Sequence, residues 1–240
     1  MFEKKKFSYA DQKKQRRHAH WGFIWFLGFF LLYTVFTNLL FSFRVLENES
    51  MQPGLHSGDF LVFSSYTFLS LFPVDSRPPV LPVRRGNIVL IDTGRPDQRN
   101  LVSAVLDNLI RFFTAQRVSF DNKGENWYIK RVLALPGDEI SMANFVLRVK
   151  PKESEYTLTE YEVAEQNYNV TIPQIPALWD ESLPFSGNME TMVLGEGEYF
   201  VLSDDRSNTN DSRTWGPIPV DYIAGKALFR YWPLTRLGMP

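Results

Sequence analysis

One uncharged apolar run divides this chain into unequal parts. It extends from Trp21 to Phe43 (WGFIWFLGFFLLYTVFTNLLFSF). Its roughly 23 residues match the length of one tilted transmembrane helix. Without a polar face, it does not fit a helix lying on a soluble core. A cleaved secretory signal fits less well than an anchor. The run exceeds the usual ~7–15-residue apolar region of such signals. The next residues, Arg44-Val45-Leu46-Glu47-Asn48-Glu49, contain no small-x-small cleavage site.

Downstream, apolar residues come in short runs bounded by turn residues, which is a β pattern. Strands are expected at 59–63, 87–91, 127–133, 198–202 and 227–232. Weaker ones are expected at 139–142, 145–149 and 156–163. Two stretches break the pattern. Residues 66–83, with Phe68, Leu69, Leu71 and Phe72 among prolines, read as a loop that either covers the core or touches lipid. Val102, Val105, Leu106, Leu109, Ile110 and Phe113 recur at helical spacing, so 100–116 reads as an amphipathic helix, packed on the sheet or lying at a membrane interface. The polar, proline-bearing stretch before the 198–202 strand reads as a satellite β region over about 143–195. The expected organisation is a basic tail (1–20), an anchor (21–43) and a mostly β domain (44–240).

Charge orients this picture. The net charge of −1 gives no reason to expect a nucleic-acid partner. Residues 1–20 nevertheless hold Lys4, Lys5, Lys6, Lys13, Lys14, Arg16 and Arg17 against only Glu3 and Asp11. Such a flank stays in the cytoplasm and places everything after Phe43 outside. The chain has no cysteine, which excludes disulfides, thiolate-bound metals and thiol nucleophiles. No metal or cofactor is expected.

Three segments hold candidate chemistry. In Ser50-Met51-Gln52-Pro53-Gly54-Leu55-His56-Ser57-Gly58-Asp59, proline and glycine force a turn that can hold the serine hydroxyl out of regular structure. Such a serine is ordinarily just a turn residue. To act as a nucleophile it needs a base. The three histidines, His18, His20 and His56, are poorly placed for that: two precede the apolar run and the third is close along the turn. A lysine can serve if burial leaves it neutral. Lys130 lies on the strand-like Tyr128-Ile129-Lys130-Arg131-Val132-Leu133, though pattern alone favours Lys130 outward and Arg131 inward. The third segment, Ser203 to Gly216, is a dense polar loop. If buried, its Asp and Arg groups need each other as partners.

Together these blocks resemble the type I signal peptidases, a membrane-anchored Ser/Lys endopeptidase family. Four motifs fall in order: Ser50–Asp59, Arg85-Gly86-Asn87-Ile88-Val89, Lys130–Asp138 and Ser203–Gly216. Asn87 stands for an aspartate, Ser203 for a glycine and Asp205 for an asparagine. The resemblance implies a signal-peptidase-like antiparallel β catalytic domain with a single N-terminal transmembrane helix and a smaller β-rich insertion. It makes Ser50 the nucleophile and Lys130 the general base. Thr209 takes the place of a serine that orients the lysine, with Asp211, Arg213 and Arg131 in support. The oxyanion is expected to be held by the Ser50 N–H and by Asn48, at a position where the family commonly has a hydroxyl. Met51, Leu55, Tyr128 and Ile129 match substrate-pocket positions. The expected partners are the signal peptides of preproteins, cut after small residues, the lipid bilayer and the protein-export machinery. The expected location is a bacterial-type plasma membrane, single-pass, with the N-terminus cytoplasmic. Three alternatives stay open: a relative with a narrower substrate, a self-cleaving repressor (disfavoured by the anchor), and an inactive peptide-binding homologue.

Overall fold

The computed structural model describes residues 9–35, 41–65, 83–93, 109–110, 112–114, 127–174 and 187–240. Helix α1 covers Tyr9–Val35. Among the described residues eleven strands follow: β1 Phe41–Val45, β2 Phe60–Ser65, β3 Ile88–Asp92, β4 Trp127–Ala134, β5 Glu139–Ala143, β6 Val146–Lys150, β7 Leu158–Thr159, β8 Met189–Val193, β9 Glu198–Leu202, β10 Ile218–Pro219 and β11 Ile223–Trp232. Two one-turn helices interrupt them, α2 at Glu160–Val163 and α3 at Ser212–Trp215.

The strands form two sheets. The larger runs β1-β2-β11-β3-β4-β9-β10 and the smaller β7-β6-β5-β8. The paired strands are antiparallel. Within the large sheet, Ile88 and Leu90 join one apolar cluster with Met51, Leu55, Leu61, Phe63 and Ile129. Val89 and Ile91 join another with Val132, Val201 and Ile223. Consecutive strand residues face opposite sides, so an unbroken apolar run such as 88–91 marks a strand covered on both faces. Each such buried aliphatic side chain contributes roughly 1.5–3 kcal/mol of burial. Gly225 lies where β11 crosses β2. A Cβ there would stand 2.2 Å from the Ser64 carbonyl oxygen, so no larger residue fits.

The N-terminal region departs from expectation. Phe41–Phe43, expected at the end of the apolar span, belong instead to β1, which pairs with β2 from Phe41↔Ser64 to Val45↔Phe60. An apolar run does not by itself distinguish a buried strand from a helix, and here β2 supplies the hydrogen-bond partners. The uncharged part of α1 is thus Trp21–Val35, about 22 Å of helix. Among the described residues no helix is long and apolar enough to cross a membrane. Trp21, Phe23, Trp25, Phe29, Leu31 and Leu32 on α1 are exposed.

Residues 66–82 and most of the expected 100–116 helix lie outside the described residues. Where that segment is described, its contact is with α1. The Phe112 ring meets Phe26, Phe29, Phe30 and Tyr33 edge-on, while Phe113 is exposed.

The small sheet draws on 139–193, starting with β5 before the expected boundary. Two further strands, β8 and β10, had no apolar signal strong enough to predict them. The expected strand over 156–163 is two residues of β7 followed by α2. Thr159 and Glu162 cap that turn reciprocally, with the Thr159 N–H and hydroxyl both donating to Glu162.

Candidate active site

The four sequence blocks converge around β4. Lys130 and Arg131 adjoin on this strand and are both buried, at 2 % and 4 % exposure. The expectation from pattern alone, Lys130 in solvent, is corrected. A central strand covered on both faces gives neither side chain a route to water, so each needs an internal partner.

Arg131 finds its partner in Asp204. Its Nε and Nη2 donate to the two carboxylate oxygens at 2.8 and 2.6 Å, and Nη1 donates to the Gly86 carbonyl at 2.6 Å. Its guanidinium also lies 4.2 Å from the centre of the Tyr168 ring. Lys130 Nζ donates to Ser203 Oγ at 2.8 Å. Burial pulls the amine from its ordinary 10.5 down to about 8. Arg213 pulls it the same way, and together they outweigh the upward pull of the Asp211, Asp204 and Asp205 carboxylates.

The polar loop after β9 is packed inward. Asp211 caps α3 by accepting the Arg213 N–H, accepts the Ser203 N–H at 2.9 Å, and pairs with the Arg213 guanidinium at 2.7 Å. Burial alone would raise the Asp211 carboxyl. The hydrogen bonds and charge of Arg213 outweigh it and hold the group below the usual carboxylate range. Arg213 also donates to the Arg206 carbonyl at 2.9 Å. Arg206 is fully buried against Glu160 of α2, whose carboxylate also takes the Tyr168 hydroxyl and the Leu147 N–H. The same burial and the Glu160 charge push the Tyr168 phenol upward. Backbone bonds of Thr171 to Asp204 and Arg206 add a further tie. Glu160, Tyr168 and Arg206 were not predicted. An isolated Glu in a polar stretch gives no sign of what lies next to it in space.

Ser50 opens a turn on the other side of this loop. Its backbone carbonyl accepts the Asp205 N–H at 3.0 Å, while Gln52 N–H donates to Glu49 and Leu55 N–H to Met51. The Gln52–Pro53 bond in this turn is cis. The Ser50 side chain is 1 % exposed, and its hydroxyl has no hydrogen-bond partner among the described residues. Residues 203–205 therefore touch both halves of the site: Ser203 Oγ takes Lys130, and the Asp205 N–H takes the Ser50 carbonyl. His56 is exposed.

Other expected residues fall as follows. Asn48 lies beside Ser50, but its side-chain oxygen accepts the Ser50 N–H at 3.1 Å, an Asx turn rather than a second free donor. Met51 and Leu55 are fully buried in the core with Ile129, and Tyr128 packs on Trp215 with ring centres 4.9 Å apart. The hydroxyl that takes up Lys130 is that of Ser203, not Thr209. Thr209 contributes its carbonyl, which accepts from the Thr214 hydroxyl and the Asp211 N–H. Asn87 does without charge what a carboxylate would do there, accepting the Arg84 N–H at 2.9 Å. Arg85 joins two motif blocks through its ion pair with Asp138 at 2.7 Å.

A family model, "Signal peptidase, peptidase S26", matches residues 18–232. The chain belongs to this family. It is 26 % identical to signal peptidase I of Bacillus caldolyticus over 231 residues, 95 % of this chain and 97 % of that protein. It is 32 % identical to signal peptidase IB of Staphylococcus aureus over 115 residues, 48 % of this chain and 58 % of that one. The crystal structure of a signal peptidase I from Enterococcus faecalis V583 matches 61 % of this chain and 97 % of its own at 17 % identity and a TM-score of 0.31, too low to bear on the fold. Family membership identifies a serine endopeptidase that cleaves signal peptides.

Proposed function

We propose that the chain cleaves signal peptides from preproteins through a dyad of Ser50 and Lys130. The observation that carries this reading is the short 203–205 segment that touches both groups: Ser203 takes the amine of a buried lysine pulled down to about 8, and Asp205 holds the turn of a buried serine whose hydroxyl has no partner among the described residues. At pH 7 such an amine is about a tenth neutral, against under ~0.1 % for an ordinary lysine.

Neutral Lys130 takes the Ser50 proton as Oγ attacks the carbonyl of the small residue before the cut. The resulting ammonium then gives that proton to the departing amine. An acyl ester stays on Ser50. Lys130, neutral again, takes a proton from water, the hydroxide attacks the ester, and the proton returns to Ser50 as the acid leaves. The Ser50 N–H holds the oxyanion once substrate displaces Asn48 Oδ1 from it. A turned Asn48 amide then offers its own N–H as a second donor. Arg131, Asp211 and Arg213 hold the loop around the base. Tyr128 and Ile129 form the rim of the pocket that accepts small residues, with the buried Met51 and Leu55 packed beneath it.

The membrane placement belongs to the same proposal. The exposed apolar side chains of α1, behind a basic N-terminal stretch, support anchoring in a plasma membrane with the N-terminus cytoplasmic and the β domain outside. That position keeps the site near signal peptides as the export machinery delivers them.

The dyad is tested with purified full-length protein in detergent and a signal-bearing preprotein. Ser50→Ala and Lys130→Ala are each expected to abolish cleavage. Cleavage that survives Lys130→Ala rules the dyad out. Carbonate extraction of membranes tests the anchor: protein released into the supernatant would refute it.

A further inference from the structure

We infer that Ser203 is the positioning residue of Lys130, in place of Thr209. The inference rests on the Ser/Lys reading above. It concerns which hydroxyl aims the base and which way that hydroxyl's proton points.

Ser203 directly follows β9 and is fully buried. Its N–H is fixed on Asp211 Oδ2, and that carboxylate is fixed in turn by Arg213. Backbone and Cβ are therefore anchored before the side chain makes any contact. Among the described residues the hydroxyl has two hydrogen-bond neighbours: Lys130 Nζ at 2.8 Å, which donates to it, and Asn208 Oδ1 at 3.5 Å, which accepts from it.

The direction of these bonds matters for a general base. A neutral amine has two N–H groups and one lone pair, and the lone pair must meet the Ser50 proton. A free hydroxyl beside a neutral amine would donate to that lone pair and block it. Asn208 Oδ1 supplies an acceptor for the Ser203 proton and so turns the serine's own lone pairs toward Lys130. The lysine spends one N–H on Ser203 and keeps its lone pair available. Thr209 has no such geometry, because its observed contacts run through its backbone carbonyl. Two departures from the family motif then read as one change. A hydroxyl has appeared at 203, where the resemblance expects glycine, and the residue at 209 is released from holding the base.

The test compares Ser203→Ala, Ser203→Thr, Ser203→Cys and Thr209→Ala in full-length protein, with kcat, KM and the pH profile measured on a preprotein substrate. Ser203→Ala should lower kcat about 100-fold with KM little changed. Loss of an acceptor for the ammonium should also move the acidic limb to lower pH. Ser203→Thr should restore most of kcat, and Ser203→Cys, a weak acceptor of similar size, should fall between. Thr209→Ala should stay within about threefold of the parent with its limb unmoved. The inference is overturned if Thr209→Ala collapses while Ser203→Ala works normally. If Ser203→Ala fails to fold, Ser203→Cys decides: full kcat with an unmoved limb overturns the proposal. Ser50→Ala and Lys130→Ala in the same assay separate failure of this inference from failure of the dyad, since they stay inactive if only the former is wrong.

Discussion

The two halves of the site are built in opposite ways. The lysine half is held by buried charge: the pairs Arg131–Asp204, Arg206–Glu160 and Asp211–Arg213 tie together three segments, β4, α2 and the 203–216 loop. The serine half is a turn held by backbone hydrogen bonds, with its hydroxyl unpartnered among the described residues. A buried hydroxyl without a partner costs about 1–3 kcal/mol. A lysine buried, among the described residues, without a counter-ion in direct contact costs stability as well. The comparison teaches that rigidity is concentrated around the group whose ionisation must be tuned. The attacking group is left unsatisfied, so a substrate and an incoming base can complete its hydrogen bonding.

The sharpest way to break this contrast is to remove the amine and keep its volume. Lys130→Met should cost about 10⁴-fold in turnover, the upper end for a lost general base. It should nonetheless raise stability at pH 7, because the buried ammonium is gone. A pH-dependent denaturation series checks the sign. The folded-state value of Lys130 lies below its unfolded value, so the unfolded chain binds the extra proton between about 8 and 10.5. The Lys130 contribution to stability therefore rises with pH across that window in the parent and is absent in Lys130→Met. If the variant is less stable than the parent at pH 7, the lysine is not buried at a cost.

Breaking the charged scaffold comes next. Glu160→Gln leaves Arg206 buried beside a neutral amide and should destabilise the fold by about 3 kcal/mol, the usual cost of orphaning one member of a buried pair. Urea denaturation measures it, and a loss under about 0.5 kcal/mol would mean that water reaches Arg206. On the serine side, Asn48→Ala should lower kcat by about 10–100-fold while leaving the melting temperature nearly unchanged, since Asn48 is exposed. An unchanged kcat would leave the Ser50 N–H as the working donor alone. The gentlest probe is pH itself. In the parent, kcat/KM should climb about tenfold per pH unit below about 8 and level off above it. A limb near 6 instead would point to a histidine and away from Lys130.

Much of both halves was legible as isolated facts. Ser50 in a Pro-Gly turn, Lys130 on an apolar strand and a polar loop rich in Asp and Arg are all visible along the chain. Their pairing was not. Arg131 could be seen to need an acid, but twelve aspartates and glutamates within the last two motif blocks and the insertion were equally eligible. Register chose Asp204. Glu160 was invisible for a related reason: it sits in a polar stretch, and its function depends on a parallel bridge between Thr171 and Asp205 that brings the insertion against the loop. Thr209 was named for its place in a motif, whereas the bond to Lys130 went to Ser203, which the fold set closer.

The sequence alone determined the mostly β architecture, the turn that presents Ser50, the strand that carries Lys130 and the absence of any thiol chemistry. These follow from local patterns of apolar alternation, proline, glycine and cysteine count, which act over a few residues. Only the tertiary structure decided where the N-terminal apolar run yields to β1, which hydroxyl takes the lysine amine, which way Asn48 turns, and how far the amine's proton affinity falls. Those outcomes depend on burial and on partners distant in the chain, and desolvation is a property of the packed surroundings that no short stretch of sequence contains.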